Sequence, residues 1–271
     1  MSQQSMTQMF RRMGARVQVT SHSGGRMTRR LELDIRHDGR GERDTYFYIS
    51  HRWDIRLEVL DVIPGDRHLL LRATDERTGR QRQTDVSQFL CGHDERSWFV
   101  AAIPESDRVM SVQGAKDALK PPAVWDAIRD ADVPAHQRDA RVNDAFIRQG
   151  EWFFLPRPEM DVSEHAALRH EPIQRGAGRP HVCQFLYREG GDEVYVHPRH
   201  PNGLTRQEYF RLPRAERYDS QWSVTRRDAR VFVRGAIQHP DHAGVFLWCW
   251  HEVVPNRETE ASAMEEVAFL D

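Results

Sequence analysis

The sequence predicts an α+β fold. An antiparallel β region, barrel or sandwich, is expected over residues 1–111, with a basic arm at its N-terminus. A helical connector follows over 112–150, and an α+β region with histidine-rich loops over 151–271. Three observations lead there: strict apolar/polar alternation near residue 31, a switch to helical spacing at Val112, and the return of β-rich runs at Glu151.

Leu31, Leu33 and Ile35 alternate with Arg30, Glu32, Asp34 and Arg36, as in a strand with one wet face. Further strands are expected at Asp44–Ser50, Ile55–Ile63, Arg67–Thr74, Gln88–Cys91 and Ser97–Ile103, with turns at His37–Gly41, Pro64–Asp66 and Asp75–Gly79. Val112–Leu119 and Pro122–Ala131 carry apolar residues at helical intervals, split by Pro121 and Pro122. Asp139–Arg148 reads as a third helix stopped by Gly150, so Trp125, Ile128, Val142 and Phe146 are expected to be buried between the two sheet regions. In the last third, strands are expected at Glu151–Leu155, His181–Arg188, Asp192–His197, Gln221–Arg226, Arg230–Ile237 and Gly244–Val254. A short helix at Thr205–Leu212 opens on a Thr-x-x-Glu capping box. Asp161–Arg179, polar and ending in Gly176-Ala177-Gly178, reads as a loop, and Glu258–Leu270 as a helix or frayed end.

Composition narrows the class. With 271 residues, 39% hydrophobic, and 7 Trp, 6 Tyr and 12 Phe, the chain has ample material for a folded core. Mean hydropathy is −0.73. The net charge of −2 provides no overall field for a polyanion, so any nucleic-acid site has to be a local patch. Lys116 and Lys120 are the only lysines among 39 basic residues; with 41 acidic residues interspersed among the arginines, codon usage explains the bias better than phosphate recognition does. Cys91, Cys183 and Cys249 are odd in number and widely spaced, which argues against a disulfide framework and for a reducing, cytoplasmic setting. The first residues have no apolar signal-like core, and no apolar run approaches membrane-spanning length.

Two constellations offer chemistry. His-Pro-x-His occurs twice, at His197–His200 and His239–His242, each just after an expected strand. Eight of the 14 histidines lie beyond residue 150. Imidazoles and carboxylates at strand ends suit a metal-dependent hydrolase: neutral nitrogens hold the ion, and a carboxylate takes a proton from bound water. The expected ligands of a divalent ion such as zinc are His239, Asp241, His242 and His251, with Glu151 and His181 as catalytic candidates. The same tetrapeptide is also an ordinary proline turn. Cys91–Arg96 offers a Cys and a His two residues apart, but with no orienting partner in sight it reads rather as a charged hairpin loop.

A binding module for nucleic acid or a protein partner is the alternative. Arg226, Arg227, Arg230 and Arg234 beside Trp222 resemble the composition of a single-strand stacking platform. Arg11, Arg12, Arg16, Arg26, Arg29 and Arg30 make a basic N-terminal stretch that can track phosphates. Phosphate-loop, nucleophile-elbow and deaminase signatures are all missing from the sequence.

Overall fold

The computed structural model describes residues 3–23, 29–39, 45–75, 86–175 and 179–261. Arg26, the Thr78-Gly79 turn signal, Gly176–Gly178 and most of the expected C-terminal helix lie outside the described residues. Half the chain is in strands and 19% is helical, which overturns the balanced α+β expectation with its helical connector; the protein is mostly β.

The N-terminal region begins with a helix, α1 (Gln3–Arg12), where the sequence suggested a basic arm. Met6, Phe10 and the following Met13 are buried, so the apolar side of this stretch anchors it while its arginines stay outside. Next come β1 (Val17–His22), β2 (Leu31–His37) and β3 (Thr45–Arg52), in spatial order β1-β3-β2. The β2–β3 pair is antiparallel, but β1 joins the free edge of β3 in parallel, a departure from the all-antiparallel expectation. Strands β4 (Ile55–Ile63), β5 (His68–Asp75), β6 (Val86–Asp94) and β7 (Ser97–Ile103) form an antiparallel meander.

Strand alternation builds two cores around this meander. Leu69, Leu71, Phe89 and Cys91 face a cluster shared with Leu31, Leu33, Phe47 and the buried side of α1. Leu70 and Leu90 point the other way, onto Val112, Ala115 and Leu119 of α2 (Val112–Leu119). A sheet covered on both faces needs apolar residues on successive positions, hence the Leu69-Leu70-Leu71 run.

Helix α3 (Pro122–Asp130) follows, but the third connector helix is absent. The Asn143 side chain accepts hydrogen bonds from the amides of Ala145 and Phe146 at 2.9 and 3.0 Å, folding the chain into a local turn instead of a helix. Val142 is consequently exposed, while Ile128 and Phe146 are buried and Trp125 is half-buried. The chain then enters β8 (Ile147–Gln149) and β9 (Trp152–Arg157).

The second large sheet has six antiparallel strands, in the order β10-β11-β15-β16-β9-β8. Its members are β10 (Leu168–Ile173), in a polar stretch that reads as loop, β11 (His181–Glu189), β15 (Arg230–Gln238) and β16 (Val245–Pro255). One face packs Phe154, Cys183, Leu186, Val233 and Leu247; the other packs Phe153 and Leu155 on Val124 and Ile128 of α3. Between β11 and β15 the chain makes a small three-stranded sheet of β12 (Asp192–His197), β13 (His200–Thr205) and β14 (Ser223–Arg227). It is interrupted by α4 (Arg206–Arg211) and α5 (Arg214–Arg217). The Thr205–Glu208 capping box is formed in both directions.

Candidate metal centre

Antiparallel pairing of β11 with β15 puts Val182 opposite Gln238, so the preceding His181 meets the following His239 at the open end of the ladder. The turn His239-Pro240-Asp241-His242 then carries His242 back over the same end. The three rings stack: centroids are 4.1 Å apart for His181–His239, 4.7 Å for His239–His242 and 5.6 Å for His181–His242. One ligand nitrogen from each can be chosen so that all lie within 4.8 Å of one another, and all three residues are buried. This is the one such group of histidine, cysteine or acidic residues among the described residues.

Both ring nitrogens of His181 and both of His242 are buried without a hydrogen-bond partner. His239 is engaged: its Nδ1 accepts the Asp241 amide at 3.2 Å, and its Nε2 lies 3.3 Å from the Arg179 carbonyl. Burial, reinforced by the neighbouring imidazoles, pushes His181 down to about 3 and His242 down to about 4. Burial lowers His239 as well. All three rings are therefore neutral at physiological pH, the form that binds metal.

Neighbouring elements frame the group. Gly150, in the β8–β9 turn at φ +57°, lies against His242, and a Cβ there would stand 2.7 Å from Nε2. Buried Gln149 donates to the Ala243 carbonyl at 2.7 Å. Trp152 presents its indole edge-on to His181, centroids 6.4 Å apart. From the N-terminal meander, Glu95 at the β6–β7 tip accepts the Ala243 amide and pairs with Arg141. Its Oε2 lies 3.8 Å from His242 Nδ1. Asp94 pairs with Arg148 at 3.1 Å.

Other expected site residues are placed elsewhere. His251 pairs across the sheet with Val233, six residues from His239, or about 20 Å along the ladder. Its Nδ1 is bonded to the Cys249 carbonyl at 2.9 Å. Asp241 faces Arg179, with contacts of 3.0 and 3.2 Å. The Glu151 carboxyl is buried, with Arg175 and Glu258 as its charged neighbours. Burial, aided by the Glu258 charge, raises it to about 7. Cys91–Arg96 forms the charged hairpin end, and burial pushes the Cys91 thiol far up, which leaves it inert as a nucleophile.

The arginine–aromatic residues are split between two sheets. Arg226 and Arg227 lie on β14, where Arg226 donates to the Gly190 carbonyl and Arg227 is 3.7 Å from Asp228. Arg230 on β15 is paired with both Glu189 and Glu252, and Arg234 lies over the rings of Phe185 and Trp250. Trp222 packs against His197, His200 and Tyr209 and donates to the Glu216 carbonyl. His197 and His200, from the other His-Pro-x-His copy, flank a hairpin turn, with His197 Nε2 3.2 Å from Asp219.

No protein-family model, curated protein or solved structure matches the chain. No helix among the described residues is long and apolar enough to cross a membrane.

Proposed function

We propose that the protein is a metal-dependent hydrolase whose divalent transition-metal ion is held by His181, His239 and His242. The observation that carries this reading is the set of four buried, unpartnered nitrogens on His181 and His242, beside a third imidazole, with ligand atoms within 4.8 Å. Nitrogens bound to one tetrahedral ion stand about 3.3 Å apart, so the group would close by about 1.5 Å, and its stacked rings would turn to make their in-plane lone pairs converge. With Nε2–H on the Arg179 carbonyl, His239 would ligate through Nδ1 by exchanging the Asp241 amide, which that nitrogen accepts at 3.2 Å, for the ion. An ion held by these three histidines would supply a Lewis acid able to make bound water acidic near neutral pH. Glu151 follows Gly150 in the adjoining turn. Its carboxyl, raised to about 7 by burial, has Arg175 and Glu258 as charged neighbours and no contact with the three histidines, so we assign it no proton-transfer role. Arg141, Arg148 and Arg179 of the surrounding segments are each paired with a carboxylate, which an anionic substrate such as a phosphodiester would have to displace.

Elemental analysis of the purified protein tests the reading. About one equivalent of transition metal is expected, removed by chelation and restored by zinc or manganese, together with metal-dependent cleavage of bis(p-nitrophenyl) phosphate. His181→Ala and His242→Ala lose the metal, and His251→Ala keeps it. A protein that neither copurifies with nor takes up a transition metal overturns the proposal.

A second reading, nucleic-acid binding, is favoured by one feature of the helices inserted in the small sheet. Arg206 and Arg217 stack on exposed Phe210, and Arg214 on exposed Tyr218. Such a surface suits unstacked bases, with affinity that falls steeply as salt rises. Absence of any single-strand binding at low salt removes it.

A further inference from the structure

Glu95 lies in the two-residue tip between the paired Asp94 and Ser97, and its φ of +45° is in the left-handed region where glycine is usual. Strain of this kind costs about 1–3 kcal/mol and persists where the surroundings hold the residue in place. Here they do. The carboxylate crosses from the N-terminal meander to the C-terminal sheet, accepts the Ala243 amide and pairs with Arg141. Arg141 takes Oε1, and Oε2, which accepts the Ala243 amide, also lies 3.8 Å from Nδ1 of His242, a ring whose nitrogens otherwise have no partner. At the other nitrogen the His242 ring itself fills the side-chain space of residue 150, since a Cβ there would come within 2.7 Å of Nε2, so only glycine lets the ring take this position.

We propose that Glu95 is the positioning carboxylate of the three-histidine centre, closing on Nδ1–H of His242 and thereby turning its Nε2 toward the ion. The proposal rests on the metal reading above. The two nitrogens of His242 then differ in function, one donating to a carboxylate and the other offering its lone pair to the metal. Carboxylates placed behind ligating histidines fix the tautomer and raise ligand basicity, and their loss typically weakens metal binding 10–100-fold. In the sequence Glu95 reads only as part of a charged hairpin loop, because the residues it serves lie about 150 positions away.

Cobalt(II) titration followed by visible absorption separates the possibilities, using wild type, Glu95→Gly, Glu95→Gln and Arg141→Gln. Glycine suits the left-handed tip, so Glu95→Gly removes the carboxylate without straining the turn. It is expected to bind cobalt about 10–100-fold more weakly, with an altered ligand-field band. Glu95→Gln retains an acceptor oxygen for Nδ1–H and is expected to recover most of the affinity. Arg141→Gln removes the ion pair with Glu95, along with the Arg141 contacts to Asp94 and the Arg148 carbonyl, but keeps the Glu95 carboxylate, and is expected to bind like wild type. Wild-type affinity and spectrum in Glu95→Gly overturn the positioning role, as does an equal loss in Arg141→Gln or no recovery in Glu95→Gln. A wild-type protein that binds no cobalt overturns the metal centre itself, a result distinct from all of these.

Discussion

Four ring nitrogens, two on His181 and two on His242, are sealed from water with nothing to bond to. An unsatisfied buried polar group costs about 1–3 kcal/mol, so the ligand-free centre is a local weak point. It also sets a pH response. The folded pKa values, about 3 and about 4, lie below the ordinary histidine value of 6.5. The unfolded chain therefore binds more protons than the folded one as pH falls below 6.5, and stability drops through that window toward pH 3. Urea midpoints of metal-free protein should accordingly fall between pH 7 and pH 4, and His181→Phe should flatten that fall. Glu151 behaves in the opposite sense. Its folded pKa, about 7, is above its ordinary 4.5, so the folded state keeps a proton that the unfolded state releases. Stability from this group is present at low pH and lost as pH rises through 7. Glu151→Gln should raise the melting temperature at pH 8 and change it little at pH 4.

At the scale of elements, local pattern is legible in the sequence and long-range register is not. Leu31, Leu33 and Ile35 lie buried on β2 as their alternation implies, and α2 begins at Val112 where the spacing changes. His181 and His239 face one another only because β15 pairs with β11 across the inserted β12–β14 sheet, a register no neighbouring turn encodes. His251 misleads for the same reason: a hairpin strand carries its residues away from the turn. Asn143 defeats the helical reading by bonding its own backbone. Asn143→Ala should cost about 1 kcal/mol in chemical denaturation. In the β8–β9 turn, Gly150→Ala has two penalties, about 1–2 kcal/mol for its left-handed backbone and a Cβ crowding His242 Nε2. Its metal affinity should fall together with its melting temperature, whereas Asn143→Ala should affect stability alone.

Over the whole molecule, the candidate centre lies where the N-terminal meander meets the six-stranded sheet. Asp94 and Glu95 come from the meander; Arg141, Arg148, His242 and Ala243 come from the later chain. A second tie runs through Arg257, which bonds Asp107 at 2.6 Å and the Ala118 carbonyl at 3.1 Å. An ion that binds only the folded form stabilises it by about 2.7 kcal/mol at one hundred times its dissociation constant. Zinc should therefore raise the melting temperature of wild type by several degrees, chelator should reverse this, and His242→Ala should show no shift. The arginines are uninformative at this scale, since Arg230 is neutralised by two acids and Arg234 covers aromatic rings. Composition reveals how many there are, but only folding shows which remain unspent.

The indole of Trp152, edge-on to His181, makes this centre optically visible. A paramagnetic ion such as copper(II) bound beside that ring drains the excited state of a tryptophan so close to it, whereas zinc, with its filled d shell, does not. Emission from buried Trp152 would be extinguished by the ion yet sheltered from acrylamide. Trp248, 88% exposed on β16, would show the reverse behaviour. Trp152→Phe should abolish the copper-dependent quenching while leaving the acrylamide response of Trp248 intact, so occupancy can be followed in the native protein without any attached dye.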